Sequence, residues 1–432
     1  MKIIEIKKIP RIKKTYFMGI PIITRTNENG YFSYSSMGIT IFKRKHFEKD
    51  IEKKDITNNQ IKNAVKIAPV TDVNLNSNKK MNLDRNYLNV AFKLTGGLGD
   101  LLISANYLEV LHGKLNSNQV RFHIYAHRDI KIARAVFKGL AYVASLHTID
   151  EIRDDCKDFD LFAEIQRYPF IRFQDRRRIY RYAPFLIEMI FLWERFRVEN
   201  SRFWLRSPWF DGQNQIEVVN GRKRIQQPDV YGRLGIGEDY QANILIEQNE
   251  DVKLSQLNLE KEKYITVHRG VDAKIDKDSN KLWPLQYYNL LIEYIKKNFP
   301  EYKIVQLGVN EKRCPEFKNV DLYLAGKTTL DDIKVILKHS KVHIDGEGGF
   351  VHLRNALHGG PSLVFFGPTS DKFYGYSQNL NMRGKGCPSE HGCEWVRPDW
   401  QKRCVGNFTR NECLYSLSPE TAFKGFCQLM ER

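Results

Sequence analysis

A glycine-rich turn that ends in an acid follows the first strongly apolar stretch of the chain. Gly96, Gly97 and Gly99 come just before Asp100. Glycines let a substrate approach the backbone closely, and a carboxylate at the mouth of the next helix suits a general base. The same aspartate would also serve simply to cap that helix, so this segment alone leaves both interpretations open.

The spacing of these glycines argues against a dinucleotide cofactor. The dinucleotide fingerprint needs Gly-x-Gly-x-x-Gly, but the sixth position counted from Gly97 is Leu102. The next predicted strand ends in residues 125–128, Tyr-Ala-His-Arg, which contain no acid to hold a ribose. We therefore do not expect NAD to bind here.

Polar and glycine residues recur at the ends of predicted strands in the second half of the chain. Each such loop could be ordinary, but the recurrence at successive strand ends favours a nucleotide-diphosphate site. Glycines at a helix N-terminus present backbone N–H groups to phosphate, and a lysine adds a positive charge. The candidate donor-binding residues are His268, Arg269, Lys281, Gly326, Thr328, Glu347, Gly348, Gly349 and His352.

Alternating strands and helices are expected to position these residues. One series of alternating elements begins near Tyr87 and a second near Tyr264. Such alternation predicts parallel sheets, with ligands at the carboxyl ends of the strands. We predict an α/β protein of two Rossmann-like, doubly wound domains that face a cleft. The predicted divisions are an N-terminal extension and linker (1–85), an acceptor domain (86–250) and a donor domain (251–432).

The N-terminal extension contains a short repeat. Met18–Arg25 and Met37–Arg44 share the start Met-Gly-Ile and a basic end. Both segments are rich in β-branched residues, so we predict two strands that form a small hairpin. The polar residues from about 47 to 85 are too hydrophilic to build a core and are predicted to be a linker.

Charge and composition limit the partners. The 432 residues include 68 Lys and Arg against 51 Asp and Glu, a net charge of +17 that favours a polyanionic partner. The longest apolar run, 183–193, is about half a bilayer span. We expect no signal peptide and no transmembrane anchor, and seven cysteines without an export signal suggest reduced thiols in the cytoplasm.

A segment dense in arginine and aromatic residues, 167–206, is predicted to form surface-lying helices. Arginine with aromatic residues can stack on nucleic-acid bases, while a basic amphipathic segment can bind an anionic membrane. A solvated helix face that covers the acceptor domain explains the same composition and is the first interpretation. Of the two binding interpretations, we favour the membrane over nucleic acid.

Four cysteines cluster near the C-terminus: Cys387, Cys393, Cys404 and Cys413. Four thiols within 27 residues could hold a tetrahedral Zn²⁺ or an iron ion. Two disulfides, or free structural thiols, are the alternatives. A reducing compartment disfavours the disulfides, whereas the spacing lacks the common Cys-x-x-Cys pair.

Taken in order, the motifs of residues 88–376 resemble the heptosyltransferases of bacterial lipopolysaccharide assembly, glycosyltransferase family 9. The resemblance implies a GT-B fold and assigns Asp100 as the base that deprotonates the acceptor hydroxyl. It implies that catalysis needs no metal cofactor. The family's donor-site segments match Lys281-x-Trp283-Pro284, Gly326-x-Thr328-x-Leu330, Glu347-Gly-Gly-x-x-His352 and Phe366-Gly-Pro-Thr369.

Two departures affect the expected donor. Glu347 stands where the family has Asp, and Gly348 replaces the usual Thr or Ser, which removes one hydroxyl contact. ADP-heptose is the common family donor, but these changes leave the sugar open. The chain also resembles autotransporter heptosyltransferases, whose C-terminal cysteines bind iron.

The resemblance implies transfer of a sugar, either heptose or another, from a nucleoside-diphosphate donor to a hydroxyl group. The expected acceptor is an anionic cell-surface glycan or glycolipid, such as the lipopolysaccharide core, or a protein. We expect the enzyme at the inner face of the cytoplasmic membrane. The alternative is a non-catalytic membrane- or nucleic-acid-binding scaffold with a transferase-like fold.

Overall fold

The computed structural model of the protein describes residues 6–9, 12–17, 20–28, 31–36, 39–45, 83–115, 118–126, 129–152, 156–165, 167–200, 213–270, 279–308, 314–389, 391–396 and 399–432. The chain divides into two compact units, residues 1–73 and 74–432, and each is described by itself.

The first unit contains a five-stranded sheet in which each strand is hydrogen-bonded to the next. The pairings between consecutive strands are antiparallel. The strands are β1 (Ile6–Ile9), β2 (Ile12–Phe17), β3 (Ile20–Glu28), β4 (Tyr31–Ser36) and β5 (Ile39–Lys45).

Both copies of the Met-Gly-Ile repeat contribute a strand, β3 and β5, but the predicted hairpin between them is wrong. β4 lies between these strands and pairs with both. The sequence between β3 and β4 is Asn29-Gly30, a strong hairpin-turn signal that places another strand between the two repeats. Most of the predicted linker, residues 46–82, lies outside the described part of the chain.

The second unit begins with a sheet of five strands in the order β10-β9-β6-β7-β8. Four strands are parallel, and β10 pairs antiparallel with β9 at one edge. The strands are β6 (Leu88–Leu94), β7 (Val120–Ala126), β8 (Val143–His147), β9 (Leu161–Ile165) and β10 (Pro169–Gln174). The helices of this half are α1 (Leu98–Leu115), α2 (Ile130–Phe137), α3 (Arg176–Tyr182), α4 (Pro184–Glu199) and α5 (Gln213–Val219).

A wholly parallel six-stranded sheet follows, in the order β13-β12-β11-β14-β15-β16. Its strands are β11 (Tyr264–Val267), β12 (Lys303–Gln306), β13 (Leu322–Tyr323), β14 (Val342–Gly346), β15 (Ser362–Phe365) and β16 (Leu380–Met382). Its helices are α6 (Glu250–Gln256), α7 (Leu285–Asn298), α8 (Leu330–His339), α9 (Gly349–Ala356), α10 (Asp371–Tyr374), α11 (Glu412–Tyr415) and α12 (Pro419–Met430). The predicted α/β architecture with parallel sheets is confirmed.

Helix α1 joins the two halves of the second unit. Residues 101–108 of α1 are all buried, as expected for a helix that is covered on nearly every side. Buried residues of α1 and α9, including Leu101 and Leu353, belong to one continuous hydrophobic cluster that extends into both halves. The N-termini of α1 and α9 are therefore held together by the core.

The segment dense in arginine and aromatic residues is only partly helical. Its first part is β10, where the prediction placed a helix, and α3 and α4 follow. β10 extends the sheet because it pairs with β9 at the edge, a contact that local periodicity does not reveal. Within the described part of the chain, no helix combines the length and apolar character needed to cross a bilayer.

Candidate functional site

A large cavity of about 1270 Å³ lies where the ends of β6, β11 and β14 and the N-termini of α1 and α9 meet. Most of the residues predicted from the sequence line it. These are Gly96, Gly97, Gly99, Asp100, His268, Lys281, Thr328, Glu347, Gly348, Gly349 and His352. Ligands of parallel α/β sheets bind at this edge, so the position matches the expected cleft.

Two predicted donor residues lie elsewhere. Arg269 is not among the described residues that line the cavity, and its Nε donates a hydrogen bond to the Trp283 carbonyl oxygen at 3.3 Å. Gly326 also lies outside the described lining, in a turn with φ +74°, while Thr328 reaches the cavity. Gly326 thus shapes the turn that carries Thr328.

Asp100 is held in the first turn of α1 by contacts to both carboxylate oxygens. Oδ2 accepts a hydrogen bond from the Gly97 N–H at 3.2 Å, and Oδ1 accepts one from Arg224 Nη2 at 2.8 Å. Arg224 is buried, whereas the Asp100 side chain remains 41% exposed. The carboxylate is therefore fixed in direction and still accessible from the cavity, as a general base requires.

Glycines are required where the backbone turns beneath this carboxylate. Gly96 has φ +108°, and a Cβ added there would lie 2.2 Å from Asp100 Oδ2. A Cβ on Gly99 would lie 2.6 Å from the His352 ring. The first glycine permits the turn, and the second permits α1 to approach α9.

A row of polar side chains lies on the α9 side of the cavity, in which Lys281 is half-buried and the others are buried. Lys281 Nζ is 2.7 Å from Glu347 Oε2, and Glu347 Oε1 is 3.6 Å from His352 Nε2. His352 Nδ1 lies 2.8 Å from the Tyr376 hydroxyl. Burial alone favours the neutral forms, but Lys281 and His352 hold the pKa of Glu347 well below its usual range, and Glu347 raises the pKa of Lys281. The site therefore keeps a charged ammonium at the mouth of α9.

His268 forms a second buried ion pair behind this row. Its Nδ1 lies 3.0 Å from Asp345 Oδ2, and Asp345 Oδ1 accepts the Gly270 N–H at 2.7 Å. Burial favours the neutral imidazole, but Asp345 outweighs this effect and raises the pKa of His268 to about 10. The pair is neutral overall, and Asp345 also fixes the loop after β11 through the Gly270 N–H.

Sequence reasoning missed three residues that line the cavity, Arg167, Glu394 and Trp395, and a fourth, Arg224, that contacts Asp100 from outside the lining. Arg224 follows α5 in the chain, and Glu394 and Trp395 belong to the cysteine-rich segment. Arg167 opens the segment that was predicted to lie on the surface, yet it is buried. Of these four residues, only Arg167 lies in a segment that the sequence singled out. The density of arginine around 167–206 indicated an exposed helix and not a residue of the cleft.

The four clustered cysteines line a separate cavity of about 340 Å³. All four are free thiols, so the disulfide alternative is not present. Burial, reinforced by Cys387 and Cys404, raises the pKa of the Cys393 thiol to about 11. No group of three or more His, Cys, Asp or Glu side chains in the described residues is arranged to hold a metal ion. The donor set suits Zn²⁺ or iron, but its present spacing does not form a coordination sphere.

Comparisons with known proteins match part of this chain to one family model. Residues 233–399 match the family model of glycosyltransferase family 9 (heptosyltransferase). Over 146 residues the chain is 31% identical to lipopolysaccharide heptosyltransferase 1 of Campylobacter coli, which covers 30% of this chain and 41% of that protein. The chain therefore spans less than half the length of that curated relative.

Solved structures share the fold at low sequence identity. A glycosyltransferase family 9 protein from Veillonella parvula superposes with a TM-score of 0.52 and 15% identity, covering 81% of this chain and 99% of that one. The iron-containing dodecameric glycosyltransferase TibC from enterotoxigenic E. coli gives a TM-score of 0.50 and 11% identity, covering 81% and 78%. Another TibC structure, in complex with ADP-D-beta-D-heptose, also superposes with a TM-score of 0.50 and 11% identity, covering 94% of this chain and 82% of that one. These neighbours agree with the predicted GT-B-like fold.

The His268–Asp345 pair predicts a pH-dependent stability. A raised histidine pKa stabilises the folded state fully below the unfolded value of about 6.5, and this contribution disappears as pH rises towards 10. The difference in unfolding free energy between wild type and His268→Gln should therefore be largest below pH 6.5 and narrow up to pH 10. Denaturant titrations at several pH values measure it. A difference for His268→Gln that stays constant over this pH range would contradict the assignment.

Proposed function

We propose that this chain, a heptosyltransferase-like protein of the glycosyltransferase family 9 type, transfers a sugar from a nucleoside-diphosphate donor to a hydroxyl group. The observation that carries the proposal is that one cavity contains an oriented, accessible carboxylate together with a charged lysine and a glycine-rich helix N-terminus, groups that would suit a diphosphate. Asp100 provides the carboxylate at the N-terminus of α1. Lys281 and the N-terminus of α9 provide the cradle in the same cavity.

In the proposed reaction, Asp100 takes the proton of the acceptor hydroxyl as its oxygen bonds to the anomeric carbon of the donor sugar. The bond between that carbon and the diphosphate oxygen breaks, and the electron pair leaves with the nucleoside diphosphate. The oriented N–H groups at Gly348 and Gly349 and the ammonium of Lys281 stabilise the departing charge. An ammonium has three N–H donors, so Lys281 can keep Glu347 and also reach a phosphate oxygen. We propose that these groups take the place of a divalent cation.

The proposed donor is a nucleoside-diphosphate sugar, with ADP-heptose as the first to test. The similarity to a lipopolysaccharide heptosyltransferase and to TibC, whose structure was solved with ADP-D-beta-D-heptose, supports this choice. Glu347 and Gly348 depart from the family pattern next to the donor, so other sugars belong in the same screen. The net charge of +17 supports an anionic glycan or glycolipid acceptor, or a protein presented beside one.

The proposed base and donor clamp can be separated by two substitutions. Asp100→Asn should lower transfer by on the order of a hundredfold or more, because an amide cannot accept the proton at neutral pH. Binding of ADP should persist, since the cradle lies on α9. The Asn amide also faces Arg224, so a modest loss of thermal stability is expected. Lys281→Ala should instead weaken ADP binding by about 1.5–3 kcal/mol, the range for a hydrogen bond to a charged group.

Matched controls line the same cavity. Asp129 is an exposed acid that caps α2, so Asp129→Asn keeps the cap and should leave transfer unchanged. Lys131→Ala removes an exposed lysine of the cavity and should leave ADP binding nearly unchanged. Transfer kinetics and calorimetric ADP titrations measure both effects. Near-normal transfer by Asp100→Asn would reject the base, and absence of ADP binding by the wild type would favour the non-catalytic scaffold.

We also propose that the four clustered cysteines hold one structural Zn²⁺ or iron ion. Their shared cavity and the iron-containing TibC support the proposal. Burial raises the pKa of the Cys393 and Cys413 thiols, so metal binding would release protons from these two residues and draw the segment together. No catalytic step is assigned to the ion.

Elemental analysis tests the metal proposal. Purified protein should carry about one Zn or Fe per chain, and a chelator should lower its melting temperature. Cys404→Ser should lose the metal, whereas Cys427→Ser, in α12 and outside the cavity, should keep it. Metal-free wild-type protein of unchanged stability would refute the proposal.

We propose that the enzyme works at the inner face of the cytoplasmic membrane through the outer face of α4. Phe191, Arg195 and Val198 follow one another at helical spacing, and the two apolar side chains are 62% and 71% exposed. An apolar stripe with arginine suits an anionic lipid surface, since the side chains enter the interface while the guanidinium meets phosphate. This supports the membrane interpretation of the Arg/aromatic segment.

Vesicle binding tests this surface. The double variant Phe191→Ser/Val198→Ser should bind phosphatidylglycerol-containing vesicles on the order of tenfold more weakly, because two apolar contacts are lost. Val252→Ser removes a 53% exposed valine of α6 and should bind normally. Equal binding by the double variant and wild type would count against the surface, whatever the transfer rate in solution.

A further inference from the structure

The cysteine-rich C-terminal segment contributes a wall of the reaction cavity. Glu394, Trp395, Trp400 and Gln401 line this cavity together with the proposed base and the proposed donor cradle. No family motif in the sequence includes these residues. They lie next to the clustered cysteines, which suggested a metal site and gave no indication of contact with substrate.

Glu394 is buried and firmly placed. Its side chain is 3% exposed and accepts a short hydrogen bond from Asn214 Nδ2. The N–H groups of Cys393 and Glu394 both donate to the Pro368 carbonyl oxygen, at 2.7 and 3.1 Å. The segment is thus attached to the loop after β15, and the carboxyl group reaches across to the acceptor half, where α5 supplies Asn214.

Trp395 adopts a backbone conformation that a bulky side chain rarely takes. Its φ is +58°, in the left-handed region that favours glycine. Such strain is found where surrounding structure fixes a functional group. The ring lies beside Trp400, with centroids 5.5 Å apart, and the Arg167 guanidinium is 5.6 Å from its centroid. The indole is therefore held at the cavity by contacts from both halves.

The chemistry of this wall matches a sugar ring. An aromatic face packs against the C–H groups of a pyranose, while a carboxylate and a guanidinium bind its hydroxyls as acceptor and donor. A phosphate fits the wall poorly because the Glu394 carboxylate would repel it. Phosphate has a better site at Lys281 and the α9 N-terminus in the same cavity.

We infer that Glu394, Trp395 and Arg167 form a subsite for a sugar ring, built partly by the cysteine-rich segment, beside the proposed base. The inference rests on the proposed glycosyl transfer and adds the residues that select the sugar. The sugar ring is either that of the donor or one of the acceptor. One experiment distinguishes them, because a donor ring affects the affinity for ADP-heptose and an acceptor ring affects the KM for the oligosaccharide.

The test uses the full-length protein with ADP, ADP-heptose and heptose-free lipopolysaccharide core oligosaccharide as probes. Trp395→Gly removes the indole, and glycine suits the positive φ, which offsets part of the stability lost with the indole's contacts. Thermal unfolding checks that the variant is folded before binding is measured. Glu394→Gln keeps the shape and an oxygen for Asn214. Val396→Ala is the control. Val396 is exposed, and it lines the cysteine cavity but not the large cavity.

For a donor ring, both variants should bind ADP normally but lose about tenfold in affinity for ADP-heptose, the size of one good ring contact. If the subsite binds a ring of the acceptor, both variants should bind ADP and ADP-heptose as tightly as wild type does. Their KM for the core oligosaccharide should instead rise about tenfold. Folded variants that change neither quantity would overturn the subsite.

A wild type that binds neither ADP nor ADP-heptose would instead reject the proposed function. The subsite is then judged by direct calorimetric binding of the core oligosaccharide alone. A weaker affinity in Trp395→Gly than in Val396→Ala supports it, and equal affinities or no binding to wild type overturn it.

Discussion

The close contact between the N-termini of α1 and α9 is the constraint on which the candidate site depends. Gly99 leaves room for the His352 ring, and Gly349 leaves room for Leu98, whose Cβ would be 3.1 Å from an added methyl group. Helix α1 follows β6 of the five-stranded sheet, and α9 follows β14 of the six-stranded sheet. The contact between the two helices therefore brings the loops at the ends of these strands to one cavity. A side chain at either glycine would separate the carboxylate of Asp100 from the proposed diphosphate cradle.

Burial makes the charges of this cavity depend on one another. Lys281 stays charged in the interior because Glu347 is beside it, and Glu347 stays charged because Lys281 and His352 are near. Removing one member would leave its partner as an unpaired buried charge, which costs several kcal/mol in typical proteins. The site is therefore preorganised around fixed charges. This is the arrangement expected where a reaction must stabilise a departing anion without waiting for solvent to reorganise.

The sequence was sufficient to predict those features of the candidate site that depend on residues close together in the chain. Glycine turns, strand ends and helix starts lie within a few residues of one another, so the spacing at Asp100 and at Glu347 could be interpreted directly. The ion pair between Asp100 and Arg224 joins residues 124 positions apart, and Glu394 meets Asn214 across 180 positions. No local pattern encodes such contacts, because they arise from how the two sheets pack. The same reason explains why β10 was predicted as helix and why Arg167 was placed on the surface.

The cysteine segment shows how a second site can be coupled to the first by shared residues. Trp400 lines both the large cavity of the candidate site and the cysteine cavity, and Cys393 directly precedes Glu394. A side chain common to two cavities transmits any change in one wall to the other, since packed interiors have little free space. Closure of the thiols around an ion would therefore move or stiffen the wall that carries Glu394 and Trp395. The proposed structural metal and the proposed sugar subsite would thus both depend on the same fold of the C-terminal segment.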